Sequence, residues 1–357
     1  MIRILMIGPL SGPTGGATIL FRQLVAELQA QPDVAVDVVD TSHSRSRIIG
    51  LWRLLSIMFR TIALITKSDV VSLHVSSMRA ALYAALLWIL CAPTGRPWML
   101  RIFGDASAKH SKMHPTQREL LDRILRRCPL LLVETRIAEK YFRSRCRRVE
   151  WYPNSRPLVR AGSRRERSES ARFVFVGHVK PSKGVRDILA AVRTLGNAAT
   201  VDVYGPLRDG VEISEFTTAV RYCGELPGTQ VVAKVISKYD VLLIPTHYSG
   251  EGYPGVILEA FAAGLPVIAT RWQAIPEIVT DENGILVEPH DTLHLAAAMQ
   301  YLTQSPAECC RLHEGALQTA RRFDSVFWTD RFVQLVLDLV AQRHSERSLA
   351  PSPMKWN

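Results

Sequence analysis

At 357 residues, with 47% hydrophobic and 22% charged residues, the chain is long for one core and suits two domains, which excludes a small stapled scaffold and a disordered chain. The net charge of +11 is unevenly placed: residues 1–170 hold 27 Lys and Arg against 13 Asp and Glu, and residues 171–357 hold 17 against 20. An anionic partner is therefore expected for the first half. The six cysteines show no CxxC spacing, which excludes a paired-cysteine zinc site and a disulfide framework and makes a reducing cytoplasm the expected compartment.

The opening "MIRILMIGPLSG" reads as a short strand running into a glycine turn, without the longer apolar core and cleavage site of a signal peptide. "GPTGGA", with Gly15 and Gly16, leads into the helical "ATILFRQLVAELQA". In residues 45–67, Arg53, Arg60 and Lys67 recur every seven positions and so share one helical stripe, bordered by Trp52, Ile57, Met58 and Phe59. That stripe reads either as the solvated edge of a core helix or as a surface resting on anionic lipid. The apolar run over 80–92 is shorter than the roughly 20 residues a bilayer requires. "VVSLHVSS" places His74 at a strand end, and Phe103-Gly104-Asp105 follows another. Residues 155–170, "SRPLVRAGSRRERSES", combine Pro, Gly, Ser and dense charge and read as a linker.

The second half opens like the first, with "ARFVFVG", the turn "HVKPSKG" and the helical "VRDILAAVRTLG". Strands are expected at "TVDVYG", "DVLLIP" and "LPVIAT", so a parallel sheet should gather its functional loops at the strand C-ends. Before the last of these comes "HYSGEGYPGVILEAFAAG", with Glu251 in a loop and Glu259 inside the helix that Pro254 introduces. A helix N-terminus with unpaired N–H groups, approached through Gly252 and Gly255, suits a phosphate. Two carboxylates beside an anion suit the hydroxyls of the same ligand, and a sugar nucleotide carries both features.

Here the sequence resembles the retaining glycosyltransferases of family 4, also called glycosyl transferases group 1. "EGYPGVILE" is similar to their E-x7-E signature, and "FVGHVKPSKG" to their FVGRLxxxKG segment. The resemblance implies an α/β protein of GT-B architecture, with two Rossmann-like doubly wound domains facing a central cleft. Residues 1–160 would form an acceptor domain, 155–170 the linker, 171–325 the donor domain, 326–342 a helix crossing back to the first domain, and 343–357 a mobile tail. It also implies transfer of a sugar, with retention, from a nucleotide-diphosphate sugar to a polysaccharide or lipid-linked acceptor in cell-surface glycan biosynthesis. Glu251 would meet the transferred sugar and Glu259 the ribose. Gly15, Gly16 and Lys183 would face the diphosphate, and Gly252, Tyr253, Pro254, Gly255 and Val256 would line the donor site. Gly205 and Leu226 would pack the base.

Two positions depart from the family pattern. His178 stands where an Arg is usual, so either His178 or Lys180 takes that part, and Phe103 stands where many members have His, leaving His74 and Asp105 as unassigned candidates for a base. No cofactor is implied. The chain has no D-x-D pair, so a metal-independent reaction is expected, supported by Lys183 as a catalytic cation beside Glu251. The expected setting is the cytoplasm, with an anionic membrane surface left open as a partner and nucleic acid set aside for lack of a motif. An epimerase or hydrolase on the same scaffold is the nearest alternative. A dinucleotide oxidoreductase is further off, because neither glycine turn reads G-x-G-x-x-G.

Overall fold

The structure is a computed structural model that describes residues 1–11, 15–42, 47–76, 80–158, 171–226 and 228–349, with side chains except at 47–54, 80–82, 197, 229–231, 233 and 346–349. The chain divides into two units, one of residues 1–152 with 326–357 and one of residues 153–325.

The first unit alternates strands and helices: β1 (Ile2–Gly8), α1 (Gly16–Gln29), β2 (Val34–Asp40), α2 (Arg47–Ile65), β3 (Val70–Val75), α3 (Ala80–Thr94), β4 (Trp98–Ile102), α4 (Ala106–Ser111), α5 (Pro115–Leu125), β5 (Leu130–Val133), α6 (Arg136–Phe142) and β6 (Val149–Trp151). Its sheet is parallel in the order β2-β1-β3-β4-β5-β6. Helices cover both faces, which explains why the strands read as continuous apolar runs. In β1, Leu5 and Ile7 pack on one face and Ile4 and Met6 on the other, the period of two expected of a strand. No described helix is long and apolar enough to cross a membrane.

The second unit contains β7 (Arg172–Val176), α7 (Val185–Leu195), β8 (Thr200–Tyr204), β9 (Val220–Tyr222), α8 (Thr229–Ile236), β10 (Val241–Ile244), α9 (Gly255–Ala262), β11 (Val267–Thr270), β12 (Gly284–Val287), α10 (Thr292–Gln304) and α11 (Pro306–Arg321). Its parallel sheet runs β12-β11-β10-β7-β8-β9. The architecture is α/β with two doubly wound, Rossmann-like sheets, as the resemblance implies.

The boundaries differ from the sequence reading. The division falls after Tyr152, because Ser155 and Arg156 are buried in the second unit and Arg156 bridges to Asp324. They are therefore not part of a solvated linker; residues 159–170 of that stretch lie outside the described residues. The last helix, α12 (Ser325–Leu349), takes in residues 343–349 that were expected to be tail, and 350–357 lie outside the described residues. Trp328, Phe332, Leu335, Val336 and Leu339 of α12 form one stripe in the core of the first unit, with Ile4, Met6 and Phe21. The Tyr152 hydroxyl donates to the carbonyl of Trp328 at 2.9 Å.

Candidate functional site

In the second sheet the chain leaves β7 toward β8 and β9 on one side, and β10 leads to β11 and β12 on the other. Neighbouring β7 and β10 therefore form the switch point of strand order, where the loops diverge and leave a crevice at the strand C-ends. The loop after β7 carries His178, Lys180 and Lys183. The loop after β10 carries His247, Tyr248 and Glu251 and feeds α9.

Local geometry ties these loops together. Gly184 has φ +77°, and a Cβ there would lie 2.0 Å from the carbonyl oxygen of Pro245, so only glycine lets the Lys183 turn press against the end of β10. Gly184→Ala should cost the second unit about 1–3 kcal/mol, the range for a strained backbone, read as a lowered urea midpoint. The His247 N–H donates to the Ser182 carbonyl at 2.9 Å. Trp272 Nε1 and Gln273 Nε2 hold the loop from outside, donating to the carbonyls of Tyr248 and Ser249 at 2.9 Å each.

Lys183 Nζ pairs with the buried carboxylate of Glu251, which also accepts from Thr246 Oγ1 at 2.9 Å. Lys180 Nζ lies 4.0 Å and Lys183 Nζ 4.9 Å from the centroid of the Tyr248 ring, within reach of the ring's negative face. Burial, and then Lys183, Lys180 and Arg208, hold the imidazole of His178 below its ordinary range. Lys180 and Lys183 thus meet at one ring, with His178 near enough to feel both, an arrangement suited to an anion beside a carboxylate that can accept from hydroxyls.

Glu259 is differently placed. It is buried inside α9, and its Oε1 accepts from Arg156 Nε at 2.7 Å, with side-chain exposures of 9% and 7%. Burial pushes its carboxyl above the ordinary range while Arg156 pulls against it. In the sequence Gly255 reads as room for a phosphate. In the structure a Cβ at Gly255 would meet Arg156 Nη2 at 2.1 Å, so the space above it holds the guanidinium, and close packing against Arg156 is the reason for glycine there. Arg156 went unrecognised in the sequence because it stands in a stretch that reads as linker.

The remaining residues fall as follows. Pro254 caps α9 rather than entering it, Val256 is half-buried, and Gly252 and Tyr253 are buried. The Tyr253 hydroxyl donates to the Glu277 carboxylate, and its carbonyl accepts from Asn154 Nδ2 at 2.9 Å. Gly205 follows β8, its N–H donating to the Gly224 carbonyl at 2.8 Å, and Leu226 follows β9, half-buried. Gly15 and Gly16 belong to the other unit, at the start of α1 after β1, beside that sheet's own switch point between β1 and β3. His74 is fully buried, with its ring 5.0 Å from that of Phe21 and its Nε2 2.9 Å from Ser72 Oγ. Burial, then Arg101, holds it uncharged well below its ordinary range, so it is a core histidine. Asp105 caps α4, accepting from the Ala108 N–H at 2.9 Å and Ser107 Oγ at 2.6 Å.

Residues 170–305 match the family profile described as Glycosyl transferases group 1. Among curated proteins, the chain is 30% identical over 166 residues to a glycogen synthase of Mycobacterium tuberculosis, covering 44% of this chain and 39% of that one. It is 27% identical over 218 residues to a D-inositol 3-phosphate glycosyltransferase of Corynebacterium glutamicum, covering 55% and 51%. The matches thus span about half or less of these relatives' lengths. The whole fold has solved counterparts. HepE of Anabaena, crystallised with UDP, aligns with TM-score 0.75 at 15% identity, covering 94% of this chain and all of that one. Sucrose-phosphate synthase of Thermosynechococcus elongatus aligns with TM-score 0.78 at 18% identity, covering 96% and 100%. The fold is that of the GT-B glycosyltransferases, and the profile match lies within its second unit.

Proposed function

We propose that the protein is a retaining glycosyltransferase that moves a sugar from a nucleoside diphosphate sugar to a polysaccharide or lipid-linked acceptor. The observation that carries this reading is the meeting of Lys183 and Glu251 at the β7–β10 switch point, with His178 and Lys180 beside them. Lys183 and its basic neighbours would stabilise the charge that develops on the departing diphosphate, and Glu251 would accept from hydroxyls of the transferred sugar. Glu259, held by Arg156, would turn its remaining lone pairs to the ribose. UDP in HepE and the glycosyltransferase names of the curated relatives support a nucleotide-sugar donor. No D-x-D pair stands in the chain, so saturating Mg²⁺ or Mn²⁺ should leave turnover unchanged. Product analysis with labelled UDP-, GDP- and ADP-sugars tests the reading. Transfer to an acceptor with the donor's anomeric configuration is expected, whereas free sugar or an epimer as sole product would make the protein a hydrolase or epimerase.

His178 gives a pH-dependent case. An imidazole held below its ordinary range is uncharged at neutral pH. His178→Arg adds a permanent charge and should tighten nucleoside diphosphate binding at pH 7.5 by about 1.5 kcal/mol, roughly tenfold. The advantage should shrink as acid protonates His178 in the parent. The same shift has a stability consequence. The unfolded histidine takes up its proton near pH 6.5 and the folded one only below that, so this contribution is present above about pH 6.5 and is lost as pH falls toward the folded value. Titration calorimetry at pH 5.5 and 7.5 reads the first effect; equal affinities at both pH values would remove His178 from the site.

The setting we propose is the cytoplasmic membrane face. On α2, Leu55, Phe59 and Ile62 are 49%, 74% and 48% exposed, spaced to share one helical face, and Arg60 and Lys67 are exposed nearby. Of the apolar residues named from sequence, Ile57 instead packs against the core; the side chains of Trp52 and Arg53 lie outside the described ones. An apolar ridge flanked by cations suits an anionic bilayer surface. Sedimentation with anionic liposomes at low salt, lost with neutral lipid and in Phe59→Ser with Arg60→Gln, is expected. No binding to either lipid would leave a soluble acceptor.

A further inference from the structure

Beside the proposed donor site, the first turn of α7, which follows β7, and the loops after β10 and β12 bring Asp187, His247 and His290 together. One ligand atom from each lies within 4.8 Å of the other two. His247 Nδ1 is 4.0 Å and His290 Nδ1 3.9 Å from Asp187 Oδ2, and the two imidazole centroids are 4.1 Å apart. These separations are too long for hydrogen bonds. Asp187 Oδ2 and His247 Nδ1 are both buried atoms with no hydrogen-bond partner among the described residues, a costly state for two polar groups unless something else satisfies them. Among the described residues, the charged groups that act on the Asp187 carboxylate after burial are His290 and His247. Two imidazoles at this distance would repel if both were protonated.

We propose that Asp187, His247 and His290 bind one divalent first-row transition ion, of the zinc class, that ties the start of α7 to the two loops. Two imidazole nitrogens and one carboxylate oxygen are the donor set such ions prefer, with solvent as the fourth ligand. Around a tetrahedral ion with bonds of about 2.0–2.1 Å the ligand atoms stand about 3.3 Å apart, so the two gaps to Asp187 at 4.0 and 3.9 Å close by under about 1 Å, and any gap up to the 4.8 Å limit by about 1.5 Å shared between two side chains. Asp187 opens α7 four residues after Lys183, and His247 lies four residues before Glu251. The ion would therefore fix the spacing of the two loops that present those groups, as a strut outside the reaction. The sequence signal is faint because the three residues sit in one helix start and two separate turns with no shared motif.

The inference does not need the proposed activity, and its test reads metal alone. The full chain, stripped with a chelator and dialysed, is titrated with Co²⁺ and with Zn²⁺ at pH 7.5. One ion per chain is expected, with visible d–d bands, no thiolate charge-transfer band, and a raised melting temperature that Mg²⁺ does not reproduce. Asp187→Asn with His247→Ala should abolish the bands, and His290→Ala alone should weaken binding at least tenfold. Circular dichroism of each variant confirms that it is folded; if the double variant fails to fold, His290→Ala, an exposed residue, carries the test. Absence of saturable binding, binding unchanged in the variants, or a thiolate band from the six cysteines would each overturn the proposal.

Discussion

Replacing Arg156 with Ala is expected to destabilise the second unit by about 3–5 kcal/mol, the cost of leaving one member of a buried ion pair without its partner. Arg156 Nε and Glu259 Oε1 are 2.7 Å apart, Arg156 Nη1 donates to the Ser155 carbonyl at 3.0 Å, and the guanidinium lies on the bare backbone of Gly255. Without it, burial alone would act on a Glu259 carboxyl already held above its ordinary range. The sign of the pH dependence follows. A carboxyl with a raised folded pKa is favoured in its protonated form, so the variant's loss is smallest in acid and grows as pH rises through the folded value. Urea unfolding at pH 5 and 8 measures both the size and the slope. Arg156→Met combined with Glu259→Leu removes both charges and should recover most of the loss. A single variant within about 1 kcal/mol of the parent at pH 8 would mean that the pair does not organise α9.

The second large effect is catalytic. Lys183→Ala should lower kcat/KM by about 2–4 kcal/mol of transition-state stabilisation, roughly thirtyfold to a thousandfold. The side chain reaches across the switch point to Glu251, so it is aimed by a partner and held on a turn that Gly184 fixes. Lys183→Arg should recover part of the loss, and Glu251→Gln should act mainly on kcat because it removes contact with the sugar being transferred. Glu259→Gln, by contrast, should act on nucleotide binding. Melting curves run beside the kinetics separate these effects from misfolding. Full turnover in Lys183→Ala would remove it from the reaction.

Much of this was legible in the sequence because it is written locally. The strands β8, β10 and β11 are apolar runs between turn residues, and the Lys183-Gly184 turn and the Glu251–Glu259 spacing lie within short stretches whose local structure follows from their own residues. Two other strands of the second sheet were not read: β9 is three residues long, and β12 is a four-residue run after a turn. Arg156 was illegible for a different reason. Its partner is 103 positions away, and its neighbours are the Ser, Pro and charge of a stretch that composition assigns to a linker. Only Gly255 hints at it, and that glycine has an equally good reading as a phosphate approach. His74 erred in the other direction: a polar residue at a strand end looked available, but Phe21, Phe103 and Phe332 surround it.

The measurement that bears most directly on the central claim is a thermal-shift screen of the full chain against UDP-, GDP- and ADP-sugars, repeated on Lys183→Ala and Glu259→Gln. At about 100 times its dissociation constant a donor should add about 2.7 kcal/mol to stability. One nucleotide class is expected to raise the melting temperature of the parent strongly, with a shift that shrinks in both variants at the same concentration. No shift with any nucleotide sugar, or an equal shift in parent and variants, would contradict a donor site at the β7–β10 switch point.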